Sequence, residues 1–434
     1  MMKFYQDLGS LVEARWQDVN YEEEAFPAIA ARALAETDPN RQQDPWEIIR
    51  WLYTTQELPK QRDVDGHFGN PPITLYCSDR FHIDIYYWLD GTTGIHQHAF
   101  SGAFQVFLGS SVHSQFSFEE ERRISSHFSI GQVCVNSAEL LMEGDIRMIV
   151  PGRKFIHSLF HLDRPSATIT IKTYLTPTAL PQYEYLKPYI ARDAFFRDES
   201  RIKKVQTVSL LLGMNHPEAD SFIGDLVSSS DFETAFLTLR QAHECLTDNA
   251  MQNFFQLDTG RQRFERLLER ARSNHGDLVD LIPPVLRENN RQQDIKRRRT
   301  YMTTNEHRFF LALLLNAPHR MSVIELVKRR FEDRDPVDTI ADWVMELSST
   351  KLLGSREPNV LGVPDFDEEH LFVVRRLLEG LSREQSKEAF RKEYCFDQEG
   401  DLESEFESVF NSLQSSTLLS SLLFESPNGK HNAR

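Results

Sequence analysis

The spacing of apolar residues changes twice along the chain and divides it into three regions. Up to residue 70, apolar positions recur every three or four residues, as in 21–37 and 45–54, which predicts helices with one buried face. From 73 to 177 the apolar residues fall into short runs, many alternating with polar residues, which predicts β-strands. After residue 183 the helical spacing returns and continues through the carboxyl-terminal half.

The middle region holds about eight strand-like runs, separated by short clusters of Gly, Pro, Asp and Ser. Strands of this number and length are typical of an antiparallel sandwich or barrel. We therefore predict an α+β multidomain fold, in which an all-β barrel lies between N-terminal helices and a large α-helical C-terminal region. The predicted parts are an N-terminal helical segment that packs on the barrel (1–70), the barrel (71–182), a helical domain (183–300), a second helical module (301–425) and a disordered tail (426–434).

Helix-start signals recur in the second helical module. Two stretches match the capping box, in which a Ser or Thr is followed three residues later by Glu, and a third places Asp before a first-turn proline. These signals are Thr303 with Glu306, Ser322 with Glu325, and Asp335 with Pro336. They predict three short helices in succession between 303 and 348. The first helix has an apolar stripe that we expect in the core: Phe309, Phe310, Leu313 and Leu314.

The chain is acidic, with 65 Asp and Glu residues against 49 Lys and Arg and a formal net charge of −16. Phosphate backbones and anionic lipids repel such a chain, so we expect neither nucleic acid nor a membrane as a partner. The second helical module could have a winged-helix-like fold. However, Asp338, Asp342 and Glu346 give its third helix an acidic face, which favours a protein partner or self-association. The polar run 287–299, with its basic cluster Lys296–Arg299, is interpreted as a linker or a solvated helix.

The four cysteines form no C-x-x-C pair, which argues against a zinc ribbon or a disulfide framework and favours a reducing, cytoplasmic location. No apolar run approaches the roughly 20 residues that cross a bilayer.

The candidate chemistry begins with His96 and His98, which lie one residue apart in a run that predicts a strand. Side chains at i and i+2 of a strand project to the same face, so both imidazoles can bind one ion. The pair therefore predicts half of a metal site.

This region resembles a cupin, and in particular the thiol dioxygenase branch typified by cysteine dioxygenase. The first cupin motif is approximated by Gly91, His96, His98 and Gly109, and the second by Gly144, Pro151, Gly152 and His157. The glutamate of the first motif is absent, as it is in the thiol dioxygenases. The similarity covers about a hundred residues, a quarter of the chain.

The resemblance implies that His96, His98 and His157 are the metal ligands. It also implies a functional role for Tyr174, because Tyr174 follows His157 at the interval that the family shows. Three neutral imidazoles suit a borderline divalent metal and leave positions open for a substrate. Iron(II) is the metal that the family implies, while the spacing alone also allows nickel, zinc, copper or manganese. The expected partners of the site are a small-molecule substrate and dioxygen.

Departures from the family leave the substrate open. Ala103 stands where some cysteine dioxygenases have the cysteine that crosslinks to the tyrosine. The family's polar relay would map to Thr170, Lys172 and Tyr174, which strand alternation places on one face. Lys172 could hold an anionic group of the substrate there. In the family an arginine binds the carboxylate of the substrate. Arg80 is near the corresponding position of this sequence, but its register relative to His96 is not fixed.

Several other polar residues of the barrel have two interpretations. His161 is a reserve ligand or a core histidine, and Gln105 either orients a ligand imidazole or is a plain strand residue. His113 is expected to be a solvated strand residue, and His82 and His127 to be structural. The aromatic residues Tyr86, Tyr87 and Trp88 are expected in the core and at the rim of the barrel.

Three function classes fit these patterns. The first is a mononuclear non-haem iron oxygenase of cupin type, similar to the thiol dioxygenases. The second is a cupin that senses a ligand or supports assembly without catalysis, with the helical half transmitting the signal. The third is a metal-dependent isomerase or lyase, for which Tyr174 or Lys172 would have to act as the base.

Overall fold

The structure is a computed structural model that describes residues 2–66, 68–176, 181–247, 259–352, 357–394 and 399–424. The described residues form two compact units. The first unit combines those within Met1–Phe116, Val135–Leu180 and Arg291–Arg434, and the second combines those within Ser117–Cys134 and Pro181–Asn290. The domain boundaries that the sequence predicts stay predictions, and the predicted tail at 426–434 lies outside the described residues.

The β-strands form two sheets, and the bounds of the strands are β1 Pro72–Cys77, β2 Phe81–Trp88, β3 Ile95–Gln97, β4 Gly102–Leu108, β5 Ser111–Arg123, β6 Phe128–Leu141, β7 Ile146–Ile149, β8 Ile156–His161, β9 Ser166–Thr173, β10 Tyr183–Leu186 and β11 Ile190–Asp193. One sheet has the order β1-β2-β9-β4-β7, and the other closes into a barrel with the order β10-β11-β6-β5-β8-β3. The eight strands from β2 to β9 pair in a nested order, in which β2 pairs with β9, β3 with β8, β4 with β7 and β5 with β6. This order is that of a double-sheet jelly roll. The predicted α+β class with a jelly-roll barrel is therefore confirmed.

The first sheet has an apolar face and a polar face, as strand alternation dictates. Ile83 and Ile85 of β2, and Ile169 and Ile171 of β9, belong to an apolar cluster with residues of the amino-terminal helices. The intervening residues of both strands are polar and face the other way. The amino-terminal helices, which supply the other side of this cluster, are α1 Met2–Asp18, α2 Phe26–Thr37, α3 Pro39–Gln42 and α4 Pro45–Thr54.

The second unit contains strands as well as helices, because β10 and β11 pair with each other and β11 pairs with the start of β6. The sequence pattern, which predicts helix from residue 183 onwards, is therefore wrong for the first ten residues or so of this region. Its helices are α5 Glu199–Gly213, α6 Ala219–Ser229, α7 Phe232–Thr247, α8 Thr259–His275 and the first half of α9 Ile282–Arg299. They enclose an apolar core that includes Phe128, Phe236 and Leu239.

The remaining helices complete the first unit: α10 Asn305–Asn316, α11 Arg320–Arg330, α12 Pro336–Ser348, α13 Glu368–Leu378, α14 Arg383–Glu393, α15 Glu399–Ser415 and α16 Ser420–Leu423. The three helices predicted between 303 and 348 are confirmed. Their caps differ from the prediction at two places, since Thr304 and His319, rather than Thr303 and Ser322, accept the capping hydrogen bonds. Asp335 caps α12 as predicted. The apolar stripe of α10 is buried, as expected.

The structure corrects the prediction that the basic cluster at the end of α9 is a linker or a solvated helix. Arg298 is 1% exposed and Arg299 is 3% exposed, so these two residues are not on a solvated face, whereas Arg297 is exposed. Both guanidinium groups have partners that are distant in the sequence, such as the Val360 carbonyl and Asp90. Among the described residues, no helix has both the length and the hydropathy that crossing a bilayer requires.

Candidate metal centre

Strand pairing brings the predicted ligand histidines together. β3 and β8 are antiparallel neighbours in which His96 lies opposite His157, so the two imidazoles project to the same face with ring centroids 4.7 Å apart. His98 directly follows β3, and its ring lies 4.6 Å from that of His96 and 5.0 Å from that of His157. One nitrogen from each of the three residues lies within 4.8 Å of the other two. This group could hold a metal ion.

The contacts of the ring nitrogens indicate which atoms would bind. His98 Nε2 and His157 Nε2 are 2.8 Å apart. His96 Nδ1 lies 2.8 Å from the carbonyl oxygen of Gly94, which can only accept, so this nitrogen carries the proton and Nε2 carries the lone pair. His157 Nδ1 is 3.1 Å from His113 Nε2, which again directs Nε2 of His157 towards the group. The Nε2 atoms are therefore the candidate ligand atoms.

Burial favours the neutral form of His98 and of His157. His157 is 3% exposed and His98 is 7% exposed, while His96 is partly exposed. Burial lowers the pKa of His98 and of His157 well below the ordinary value, and the charge of a protonated His96 would lower both further. A divalent metal needs the unprotonated form of its histidine ligands. A donor set of three imidazoles, bound in their unprotonated form, fits iron(II), and equally zinc, nickel, copper or manganese.

A chain of polar contacts behind His157 was missed by the sequence interpretation. His113 is fully buried rather than solvated, and its Nδ1 lies 2.8 Å from Glu139 Oε1. Arg147 Nε donates to the same carboxylate at 2.9 Å, and this hydrogen bond is the main cause that lowers the pKa of Glu139 to about 2. Groups of this kind behind a ligand fix its tautomer and the orientation of its ring. No local pattern on β5 marks His113 as buried, because its partners Glu139 and His157 lie on other strands.

Lys172 lies close to the imidazoles without contacting them. Its Nζ lies 3.3 Å from Asp84 Oδ2, donates to the Tyr86 hydroxyl and is 5.1 Å from the centre of the Phe100 ring. The Phe100 ring in turn lies 4.5 Å from the ring of His98. The positive charge of Lys172 also contributes to the low pKa of His98, after burial and the charge of His96. One aromatic ring therefore separates the ammonium group from the candidate ligand.

The polar face on which Lys172 lies is the face that strand alternation predicts. On β2 and β9 the residue pairs His82–Lys172 and Asp84–Thr170 are directly opposite each other. Burial raises the pKa of Asp84, but the hydrogen bond from His82 and the charge of Lys172 outweigh it and hold this pKa below the usual value. Asp84 Oδ1 and His82 Nδ1 are buried and have no hydrogen-bond partner among the described residues. His82, interpreted as structural, belongs to this network.

Tyr174 lies at a different place from the imidazoles. Its hydroxyl donates to the carbonyl of Ser78 at 2.6 Å and lies 3.3 Å from Cys77 Sγ, while its ring stacks on His82 with centroids 5.2 Å apart. Burial and the contact with Cys77 raise the pKa of Tyr174 to about 12. Tyr174 lines a cavity of about 480 Å³ together with Pro59, Lys60, Arg62, Cys77, Ser78 and Asp79. Its role at the metal stays a prediction.

The other candidate residues have partners outside the three-histidine group. His161 Nδ1 lies 3.0 Å from Ser111 Oγ, and its ring stacks on Trp88. Gln105 donates to the carbonyl of Gly144 at 3.3 Å. Arg80 lies over the ring of Tyr21, and His127 Nδ1 lies 3.1 Å from Asp193 in the second unit. The two interpretations of His161 and of Gln105 therefore both stay predictions.

The chain is similar to several solved structures at low sequence identity. No protein-family model matches the chain, and no curated protein matches it. Similar solved structures include a cupin superfamily protein from Desulfitobacterium hafniense (17% identity, 27% of this chain and 95% of that chain, TM-score 0.18) and the DMSP lyase DddQ from Ruegeria pomeroyi (15% identity, 42% and 95%, TM-score 0.21). The polyketide cyclase RemF from Streptomyces resistomycificus is also similar (13% identity, 35% and 94%, TM-score 0.18). Because these TM-scores are well below 0.5, we draw no argument from them, and the jelly-roll assignment rests on the strand order.

Proposed function

We propose that the protein is a mononuclear non-haem iron oxygenase of cupin type that acts on a small molecule, with chemistry similar to that of the thiol dioxygenases. The observation that supports the proposal is the convergence of three imidazoles, those of His96, His98 and His157, on one face of a barrel. Three ligands on one side of a metal leave adjacent positions for exogenous groups. Iron(II) bound there would supply the activation of dioxygen.

The residues around the imidazoles would orient the reacting groups. His113 and Glu139 would hold the ring of His157, so that its Nε2 keeps pointing into the group. Lys172 would offer an ammonium group, which lies over the Phe100 ring, to an anionic part of the substrate. Tyr174, whose raised pKa keeps its hydroxyl protonated at neutral pH, would have to give up its hydrogen bond to Ser78 in order to donate to a substrate in the cavity that it lines.

A metal and oxygen assay tests this proposal. The protein is purified without oxygen, its metal content is measured by elemental analysis, and oxygen consumption is followed with a panel of small thiols. We expect about one iron per chain, and oxygen uptake that depends on a thiol. His98→Ala should lose both the iron and the uptake, because it removes one of three ligands. His127→Ala, which removes a histidine of the second unit, should retain both. Failure of the wild-type protein to bind iron after anaerobic reconstitution would contradict the proposal.

The second candidate is a cupin-type protein that senses a ligand or supports assembly without catalysis. The observation in its favour is that both predicted catalytic side chains are engaged elsewhere, Lys172 by Asp84 and Tyr174 by Ser78. In that case the helical C-terminal region would contact a protein partner or a second copy of the chain. The same assay separates the two candidates, because a metal-free protein that still binds a small thiol would favour sensing.

A further inference from the structure

The loop that leads into the metal centre runs beside β8. The Thr93 amide donates to the carbonyl of Leu159 at 2.9 Å, and the Leu159 amide donates to the Thr93 hydroxyl at 2.7 Å. One residue further on, the carbonyl of Gly94 lies 2.8 Å from His96 Nδ1. The segment Gly91–Gly94 therefore determines where the backbone enters β3 and how the ring of His96 is oriented. We call this segment the metal loop.

The metal loop fits closely against its surroundings at its first residue. A Cβ atom added at Gly91 would approach the ring of Trp88 to 2.6 Å and that of His161 to 2.9 Å. Contacts this short do not occur between real atoms, so only glycine fits here without movement of both rings. Packing therefore holds Gly91 in place, and its carbonyl oxygen has a defined position for a hydrogen-bond donor.

Arg299, the last residue of α9, makes that hydrogen bond. Its Nη1 donates to the carbonyl of Gly91 at 3.0 Å and also to the hydroxyl of Thr92. The guanidinium carbon lies 4.5 Å from the centre of the Phe160 ring, on the strand that also carries His157. The side chain is 4% exposed, so a full positive charge is buried between the helix and the metal loop. Burial lowers the pKa of Arg299 to about 10, and the group stays charged at neutral pH.

A second arginine ties the same helical region to neighbouring parts of the barrel. Arg308 on α10 donates to the carbonyl of Leu162, just after β8, and to Asp90, just before the metal loop, each at 2.7 Å. At the end of α10, Asn316 Oδ1 accepts a hydrogen bond from Ser158 Oγ on β8. The helices therefore hold both strands that carry the candidate ligands His96 and His157. Burying a charge is costly without such specific partners.

We propose that Arg299 is a positioning residue of the metal centre, which holds the metal loop so that His96 stays aligned with His98 and His157. This inference rests on the proposed metal site and deepens it. The guanidinium acts through the backbone of Gly91 and the hydroxyl of Thr92, not through contact with the metal. It makes the C-terminal helices part of the centre, although they contribute no ligand.

The neighbouring arginine provides a matched control for the experiment. Arg298 is equally buried, but it donates to Asp294 at 2.8 Å and to the carbonyl of Val360, both within the helical region. Arg298→Gln and Arg299→Gln therefore remove the same group from adjacent buried positions, and only the second removes hydrogen bonds to the metal loop. Each full-length protein, prepared metal-free, is titrated with cobalt(II) alone. The affinity, the visible absorption spectrum of the bound cobalt and the unfolding temperature are measured.

We expect Arg299→Gln to weaken cobalt binding by about 10-fold and to alter the visible spectrum, as loss of an outer-sphere partner does. Arg298→Gln should lower the unfolding temperature but keep the affinity and the spectrum of the wild type. Arg299→Lys should recover part of the affinity, because its ammonium keeps the positive charge and can donate to the same acceptors, although its side chain is shorter. Wild-type affinity and spectrum in Arg299→Gln would overturn the inference.

A variant on the other side of the contact keeps the test decisive if Arg299→Gln does not fold. Thr92→Val removes the hydroxyl acceptor, keeps the shape of the side chain and leaves Arg299 in place. We expect a smaller loss of affinity in the same direction, together with a spectral change. An unchanged spectrum in a folded Thr92→Val protein would count against the inference. If the wild-type protein itself binds no cobalt, the proposed metal centre fails instead, so the two failures are distinguishable.

Discussion

At the scale of single residues, hydrogen bonds decide which nitrogen of each imidazole can bind a metal. Glu139 is anionic at neutral pH because its pKa is lowered to about 2, so His113 Nδ1 carries a proton and donates to it. In a neutral His113 the other nitrogen, Nε2, then accepts from Nδ1 of His157. The Nε2 atom of His157 is thereby left with a lone pair that points towards His98. The chain fixes one tautomer of the ligand.

Removing His113 should therefore weaken metal binding without removing a ligand. We expect His113→Ala to lower the affinity for iron(II) or cobalt(II) by about 10-fold to 100-fold, the range for lost outer-sphere partners. His113→Gln, whose amide can accept the same hydrogen bond, should retain part of the affinity. Competition with a chelator of known affinity measures both. Equal affinities for wild type and His113→Ala would show that His157 does not need this orientation.

At the scale of elements, the parts that follow from local patterns could be predicted, and the parts that depend on distant partners could not. Alternation indicated the strands from β1 to β9, and cap residues indicated the helices between 303 and 348. The strands β10 and β11 were missed because four residues of alternation are too few to distinguish from a helix. The burial of Arg299 was missed because its acceptors in the metal loop are some two hundred residues away in the sequence. His113 was missed for the same reason, since its partner Glu139 is on another strand.

The close pairing of β4 with β9 can be tested with a glycine. A Cβ atom at Gly102 would lie 2.2 Å from the carbonyl oxygen of Ile171, so Gly102→Ala requires the backbones of the two strands to separate. We expect the free energy of unfolding to fall by about 1–3 kcal/mol, the usual cost of overpacking. Gly213, at the end of α5, has no atom within 4 Å of the added Cβ among the described residues, so Gly213→Ala is the control. Urea unfolding measures both variants, and equal stabilities would contradict the pairing.

At the scale of the whole molecule, buried histidines link stability to pH. Burial, with the charge of Arg299, lowers the pKa of His161 to about 3, and burial lowers those of His98 and His157 well below the ordinary value. In the unfolded chain these side chains titrate near pH 6.5. Below that pH the unfolded state binds protons that the folded state does not bind. The free energy of unfolding should therefore decrease as the pH is lowered from 6.5 towards 3.

His161 allows this linkage to be measured apart from the metal ligands. In His161→Phe an aromatic ring of similar size can still stack on Trp88, while one titrating group is removed. We expect the metal-free variant to lose less stability than the metal-free wild type between about pH 6 and about pH 4, by up to about 1.4 kcal/mol per pH unit. Urea unfolding at a series of pH values gives this slope, and the difference between the proteins above pH 7 gives the pH-independent effect of the substitution. If both proteins show the same slope, His161 is protonated in the folded state at the same pH as in the unfolded state. Burial against Trp88 and the charge of Arg299 would then not lower the pKa of His161, and this result would contradict the structure.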